Sequence, residues 1–429
     1  MIGTKNGKIN GSLCYVLFAV TPLLTGSDWP EFRGPTHDGK SRAIGLPTEW
    51  REGKNVVWKT PIHDRGWSSP VVQGSQVWLT TATTDGQQMF VICVDRDSGK
   101  ILYDEKIFHN KQPRSLGNPT NSYATPSPVV EPGRVYVHFG SYGTACLDTE
   151  TFQTVWQRRD LPCDHWRGPA SSPVLFEDLI LLHFDGADVQ YAAALDKHSG
   201  NTRWVTFRSA DYGDLEEDGR PVADGDYRKA YNTPYVFEHK GQHQMLSPSA
   251  RAVYSYDPRT GEELWHVRHD GHSSAARTLF VDGLALAFTG LGAVELLALN
   301  VDGRGDVTDS HVAWRIRRGV PERSSPILVD NHLYMVTQKG VAACLDLATQ
   351  KLVWQERIGG KYSASMVYVD GHIYFFDEAG VTTVIRPGKA FHRVATNRLE
   401  DGFMASPAIA GRAFILRTRT HLYRVESAE

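Results

Sequence analysis

The chain has 429 residues, of which 10% are aromatic and 22% are charged, and its formal net charge is −3. A large apolar core is therefore available, and the mildly acidic balance argues against the positive footprint of a nucleic-acid-binding protein. The 39 glycines and 22 prolines favour a turn-rich, all-β chain.

The N-terminus predicts a secretory signal peptide at residues 1–26. Lys5 and Lys8 precede an apolar run at residues 13–24, and small residues follow at 25–27. This order of charged, apolar and small residues is typical of an export signal, and the run is too short to cross a bilayer. We therefore expect a periplasmic or secreted protein whose mature chain has no transmembrane segment.

Beyond a lead-in at residues 27–54, one pattern repeats along the chain. An Asp is followed eight residues later by an aromatic residue. The pairs are Asp95/Tyr103, Asp148/Trp156, Asp196/Trp204, Asp257/Trp265 and Asp346/Trp354. Two weaker copies occur, namely Asn300/Trp314 with six inserted residues and Arg386/Val394. Repeats of this length indicate a solenoid, a propeller or another array.

Residues 323–360 show what one repeat contains. Four short runs of apolar or β-branched residues, at 324–329, 333–336, 341–345 and 352–355, are separated by Asp, Asn and Gly. This spacing predicts a four-stranded antiparallel meander. A small residue followed by proline opens the first strand of most repeats, at Ser69-Pro70, Ser127-Pro128, Ser172-Pro173, Thr233-Pro234, Ser325-Pro326 and Ser406-Pro407.

The two ends of the chain predict how the repeats close into a ring. A third strand at residues 421–425 has no fourth strand after it, and an unassigned strand lies at residues 55–60. Sharing one blade between the chain ends leaves no open edge. We therefore predict an all-β fold at residues 55–429, an eight-bladed β-propeller of four-stranded antiparallel blades closed by an N-terminal strand in the last blade.

Three insertions lengthen the repeats. Those at residues 106–122 and 209–229 join the outer strand of one blade to the inner strand of the next, and we expect them beside one mouth of the central channel. The insertion at residues 301–312 joins a third strand to a fourth, so we expect it on the opposite face.

The repeat unit resembles the quinoprotein-type propeller repeat, the pyrroloquinoline quinone (PQQ) repeat. The matching stretches read ALDKHSGNTRW at residues 194–204 and YDPRTGEELW at residues 256–265. The stretch DWPEFRGP at residues 28–35 is similar to the leader of secreted members. The resemblance implies tryptophans that dock between neighbouring blades. It also implies one of two roles, a PQQ-dependent dehydrogenase or a quinone-free scaffold such as the propeller that assists outer-membrane protein assembly.

The sequence departs from the dehydrogenases of that family. Many alcohol-oxidising members stack the quinone under a disulfide between adjacent cysteines, and this chain has no Cys-Cys pair. Their calcium ligands and catalytic aspartate match no stretch here. We therefore expect no cofactor, with PQQ and calcium as the alternative.

Aromatic and cationic residues gather just ahead of the inner strands, where a propeller places one channel mouth. They are Trp67, Tyr123, Trp166, Arg167, Tyr231, His272, Arg323 and Tyr362. Stacking and charge-assisted hydrogen bonds would suit a planar or anionic ligand. The alternative is that these side chains fill the mouth and pack against the long loops.

The remaining candidates have structural explanations. Cys93, Cys146 and Cys344 occupy one repeat position, so they are expected to lie too far apart for disulfides and to act as small buried residues. Cys163 is expected to be a lone thiol. The acidic stretches at 302–309 and 211–226 fit either a calcium site or, as we expect, solvated loops. No catalytic motif and no zinc motif is present.

These observations predict an exported, non-catalytic propeller that binds or scaffolds a protein or a small ligand in the cell envelope, at the mouth that carries the two long insertions. The alternative is a PQQ-dependent or quinone-linked oxidoreductase of alcohols or sugars.

Overall fold

The structure is a computed structural model that describes residues 1, 3, 28–118 and 120–427. It contains eight antiparallel sheets arranged as the blades of a propeller, which confirms the predicted all-β fold. The predicted signal peptide lies outside the described residues apart from residues 1 and 3. Within the described part of the chain, no helix is long and apolar enough to span a membrane.

Blades one to four follow each other along the chain, and within each blade the strands are given in order from the channel outwards. Their strands are β2 (Val71–Gln73), β3 (Gln76–Ala82), β4 (Gln88–Asp95) and β5 (Ile101–His109); β6 (Val129–Glu131), β7 (Arg134–His138), β8 (Thr144–Asp148) and β9 (Thr154–Arg158); β10 (Val174–Phe176), β11 (Leu179–Asp185), β12 (Gln190–Asp196) and β13 (Thr202–Phe207); β14 (Tyr235–His239), β15 (Gln242–Pro248), β16 (Ala252–Tyr256) and β17 (Glu263–Arg268). A short 3₁₀ segment, Val222–Arg228, lies in the insertion between blades three and four.

Blades five to eight complete the ring. Their strands are β18 (Leu279–Val281), β19 (Leu284–Phe288), β20 (Leu296–Asn300) and β22 (Val312–Ile316); β23 (Ile327–Val329), β24 (His332–Val336), β25 (Val341–Asp346) and β26 (Lys351–Arg357); β27 (Val367–Val369), β28 (His372–Phe376), β29 (Val381–Arg386) and β30 (His392–Arg398); β31 (Ala408–Ala410), β32 (Ala413–Arg417), β33 (His421–Glu426) and β1 (Val56–Pro61). The two-residue strand β21 (Gly305–Asp306) belongs to the blade-five insertion and pairs in parallel with β17 of blade four.

The repeated Asp and aromatic residues have separate structural tasks. The Asp196 carboxylate accepts hydrogen bonds from the backbone N–H and the hydroxyl of Ser199, which closes the turn between the third and fourth strands. The Trp156 indole donates to the carbonyl of Lys197 in the next blade at 3.0 Å. Gly200 has a φ of +74°, and a Cβ there would lie 2.6 Å from Trp156, so glycine lets the ring approach the backbone. The tryptophans therefore dock between blades, as the repeat resemblance implied.

The chain ends close the ring as predicted. Strand β1 pairs antiparallel with β33, with Trp58 opposite Arg424 and Thr60 opposite Leu422. The Trp58 indole donates to the carbonyl of Arg96 in blade one at 2.9 Å, so the last blade docks on the first as blade two docks on blade three.

The lead-in has a task that the sequence did not reveal, because it crosses one end of the central channel. Trp29 pairs with Val72 of blade one, and the backbone N–H of Val130 in blade two donates to Pro30. Arg33 then donates to the carbonyl of Pro326 in blade six at 2.6 Å and to that of Met366 in blade seven. The segment thus bridges opposite sides of the ring and covers this end of the channel.

Candidate functional site

The connections between blades meet at the other end of the channel, where they surround a cavity of about 320 Å³. Outer-to-inner connections of all blades lie on one face, because strand direction alternates within each blade. The residues that line the cavity come from all eight of these connections, and Phe32 of the lead-in lines it as well. The mouth is therefore open, and the lead-in forms the floor below it.

Five of the eight predicted mouth residues line this cavity, and the structure brings them together from different blades. They are Trp67, Arg167, Tyr231, His272 and Arg323. The three others lie behind the lining and support it, which corresponds to the alternative prediction of a packing role for them. They are Tyr123, Trp166 and Tyr362.

Each supporting residue has an identifiable partner. The Tyr123 hydroxyl donates to the carbonyl of Arg114 at 2.7 Å, which holds the insertion after blade one against the mouth. The Arg167 guanidinium and the Lys229 ammonium both lie over the Trp166 ring, at 4.1 Å and 4.6 Å from the ring centroid. Tyr362 is 1% exposed and belongs to the apolar core between blades six and seven.

The two lining arginines differ in how far they are neutralised. Arg167 lies 3.8 Å from the carboxylate of Asp226, which also contacts Lys229. Arg323 donates to the Ser363 hydroxyl at 3.4 Å, and no carboxylate in the described residues forms an ion pair with it. Its positive charge therefore faces the cavity without a partner of opposite sign.

Burial sets the protonation of the neighbouring groups. It lowers the pKa of His272, which lies 4.9 Å from the ring of Tyr227, and so favours the neutral imidazole. Burial also raises the pKa of Tyr231, which stays a neutral phenol. Arg167, Arg323 and Asp226 are therefore the charged groups of the lining, and they leave the cavity with a net positive charge that favours an anion.

The backbone at the mouth is strained at one of these residues. Arg167 has a φ of +85°, a conformation that non-glycine residues rarely adopt. The guanidinium stacks on Trp166, and the next residue, Gly168, is held by the Asn121 side chain at 3.1 Å. Strain of this kind persists only where the surroundings impose it and is common at ligand sites.

Sequence reasoning missed three contributors to the cavity. Asp226 lies in the acidic insertion that was predicted to be a solvated loop, yet it faces the mouth and pairs with Lys229. Phe32 comes from the lead-in, far away in the sequence. Ser and Thr side chains from the starts of the inner strands also line it, although their recurrence before proline suggested only a structural task.

The residues present do not fit a calcium-bound quinone. Calcium requires six or more oxygen ligands, and Asp226 is the single carboxylate among the lining residues. It is already engaged by Lys229 and Arg167. Within the described ranges, no group of three His, Cys, Asp or Glu side chains could hold a metal.

A second polar cluster lies buried between blades three and four. Arg208 and Asp185 form an ion pair at 2.9 Å, and Arg208 also donates to the hydroxyls of Ser247 and Tyr256. The Ser247 hydroxyl is 2.8 Å from Nε2 of His183. The two charged groups of this cluster, Arg208 and Asp185, neutralise each other, which indicates a structural role.

Cys93, Cys146 and Cys344 behave as the repeat comparison predicted, and Cys163 is a free thiol as expected. Cys93, Cys146, Cys163 and Cys344 are free and buried. Burial raises the pKa of Cys146 to about 12 and that of Cys344 to about 11, so these thiols stay protonated. Within the described part of the chain, neither acidic loop forms a metal site.

Comparison with known protein families finds a family whose model matches most of the chain. The family described as outer membrane protein assembly factor BamB matches residues 50–251 and 235–389. The chain belongs to this family. A comparison with curated proteins found no match.

Solved structures with the same fold include both functional branches that the repeat resembles. A quinohemoprotein alcohol dehydrogenase from Comamonas testosteroni has a TM-score of 0.67 at 12% identity, over 94% of this chain and 81% of that chain. A europium-containing methanol dehydrogenase has a TM-score of 0.63 at 11% identity, over 92% of this chain and 89% of that chain. BamB from Moraxella catarrhalis has a TM-score of 0.58 at 11% identity, over 86% of this chain and 99% of that chain. At these identities the likeness establishes the fold alone.

Proposed function

We propose that this BamB-family propeller is an exported, non-catalytic binding module whose ligand is a small anion held in the channel mouth. The observation that carries the proposal is the open cavity of about 320 Å³, which Arg323 lines without an ion pair to any carboxylate of the described residues. The predicted signal peptide supports export. A cavity closed on one side by the lead-in and open on the other suits a small molecule better than a protein segment.

The aromatic lining gives the site a second means of recognition. Trp67 and Phe32 offer apolar faces, and the Trp67 indole N–H is already bound to the carbonyl of Thr120 at 3.2 Å. A planar ligand can therefore stack while its anionic group reaches Arg323. The competing function is quinone-linked oxidation of alcohols or sugars, and the donor set of the cavity gives it no support.

A titration of the purified protein separates the two functions. Isothermal calorimetry with a panel of aromatic and aliphatic carboxylates is expected to find a saturable ligand, and Arg323→Ala should weaken its binding about tenfold or more, as for loss of a charged hydrogen bond. Arg304 is a suitable control, because it lies in the insertion on the opposite face, where it bonds to the carbonyl of Gly303. Arg304→Ala should leave the affinity unchanged.

The same protein is then titrated with PQQ and calcium and assayed for dye-linked oxidation of alcohols and sugars. Saturable PQQ binding with turnover would overturn the non-catalytic proposal. If no carboxylate binds and an envelope protein is recovered reproducibly on the immobilised propeller, the module serves a protein partner instead of a small anion.

A further inference from the structure

A ring of hydroxyl groups encircles the channel at the base of the cavity. At the start of the inner strand in seven of the eight blades, a side-chain oxygen accepts a hydrogen bond from the backbone N–H of the preceding blade. Seven such bonds have lengths of 2.8–3.1 Å and run through Ser69, Ser127, Ser172, Thr233, Arg277, Ser325, Ser365 and Ser406, with a gap between Thr233 and Arg277. The backbone N–H of Ser406 donates to the Ser69 hydroxyl, so the series also joins the last blade to the first.

Among the described residues, no acceptor takes the protons of these hydroxyls. A hydroxyl group donates one hydrogen bond and accepts up to two. Each of these oxygens accepts a backbone N–H, and none of the seven donates to another group among the described residues. Six of the seven hydroxyl residues line the cavity although their side chains are at least nine-tenths buried. The ring therefore offers several O–H donors to whatever occupies the channel.

Arg277 interrupts the ring, and its guanidinium contacts the lead-in that forms the floor of the cavity. It occupies the position of the ring serine in blade five, since its own N–H donates to Ser325. Its guanidinium is 3.2 Å from the Glu31 carboxylate and donates to the carbonyls of Phe32 and Pro234. Arg33 lies nearby, and the Asp38 carboxylate that acts on it electrostatically also pairs with Lys40. The lead-in and Arg277 therefore carry three basic side chains, those of Arg277, Arg33 and Lys40, against the carboxylates of Glu31 and Asp38.

We propose that the hydroxyl ring and Arg323 together bind a small polycarboxylate, an aliphatic di- or tricarboxylate anion. Such an anion is rich in acceptors and carries no donors when ionised, which matches a surface of O–H and guanidinium donors above a positive floor. Arg323 contacts Ser363, two positions before the ring residue Ser365, and both Arg323 and Ser365 line the cavity. One carboxylate can therefore reach the arginine while another meets the ring. The inference rests on the proposed function, because both place the ligand in the same cavity.

Ser365 is the ring residue best suited to a test, since its neighbour Ser363 contacts Arg323. Ser365→Ala removes an O–H donor but also the acceptor for the N–H of Ser325. Ser365→Thr restores both groups, and Thr233 shows that threonine is accommodated in the ring. Thermal unfolding of both variants shows whether each is folded before binding is measured.

The probe is tricarballylate, compared by calorimetry with its uncharged triamide, which has the same carbon skeleton. We expect the wild-type protein to bind tricarballylate and to bind the triamide at least tenfold more weakly. Ser365→Ala should weaken tricarballylate binding about tenfold, as for one hydrogen bond to a charged group, and Ser365→Thr should restore it to within about threefold.

Three results would overturn the inference. If tricarballylate binds but Ser365→Ala binds it equally well while Arg323→Ala does not, the ring takes no part and the mouth site alone remains. If tricarballylate does not bind while another carboxylate of the panel does, the polycarboxylate class is wrong and the proposed function stands. Failure of every anion removes both.

Discussion

Removal of the Trp58 side chain tests the closure of the ring. Trp58 is half-buried between the last and first blades, its indole donates to Arg96, and its ring lies on Gly99. A buried tryptophan removes about 150–250 Å² from water. About half of that area at ~25 cal/mol per Å² contributes about 2–3 kcal/mol, and the hydrogen bond adds about 1 kcal/mol. We therefore expect Trp58→Ala to lower the free energy of unfolding by about 3 kcal/mol.

Equilibrium urea unfolding followed by fluorescence and circular dichroism measures this change. Val57→Ala is the matched control, because Val57 lies on the same strand but is 54% exposed and should cost less than about 0.5 kcal/mol. Gly99→Ala should also destabilise, since its Cβ would lie 2.6 Å from the Trp58 ring. In a protein that already carries Trp58→Ala, Gly99→Ala should lower the free energy of unfolding by less, because the Trp58 ring that its Cβ would meet is absent. A change of less than about 0.5 kcal/mol for Trp58→Ala would show that this contact does not hold the ring closed.

Three further predictions concern the interior. Asp185→Ala should destabilise by about 3–5 kcal/mol in urea unfolding, because it leaves the Arg208 charge buried without its partner; a cost below about 1 kcal/mol would contradict this account. Burial lowers the pKa of His138 to about 3 and that of His165 to about 4, so the unfolded state binds more protons below about pH 6.5. Stability should therefore fall by about 1.4 kcal/mol per pH unit per histidine between about pH 6 and pH 4, and a His138→Gln/His165→Gln variant with an unchanged slope in melts across this range would refute the assignment. The buried thiols of Cys93, Cys146, Cys163 and Cys344 should react with a disulfide reagent only after unfolding; rapid labelling of the native protein would show that one of them is accessible.

The repeat pattern was sufficient to predict the blades and their closure. Asp at the turn and Trp eight residues later act within one blade and on its neighbour, so their spacing is visible along the chain. The strand pattern at residues 323–360 corresponds to β23–β26 for the same reason. Hydrophobic alternation and turn residues are local signals, and a fold built from identical local units can be counted from them.

The mouth could be predicted only in part. A residue that directly precedes an inner strand lies near the mouth. This rule was enough to predict five residues that line the cavity, namely Trp67, Arg167, Tyr231, His272 and Arg323. The same rule does not decide whether a side chain faces the cavity or packs behind it, and Tyr362 packs in the core. That choice depends on the neighbouring blade and on the insertions, which are distant in sequence.

The amino-acid sequence by itself thus determined the eight blades, the strand that closes them and the face on which the mouth lies, because each follows from short-range repetition. Only the tertiary structure decided that the lead-in covers one end of the channel, that Asp226 pairs at the mouth, and that the serines before the prolines form a ring. These features join residues from different blades or from the lead-in, as in the contact of Arg33 with Pro326 and that of Ser406 with Ser69. Such contacts arise from the closure of the ring, so no local pattern of residues records them.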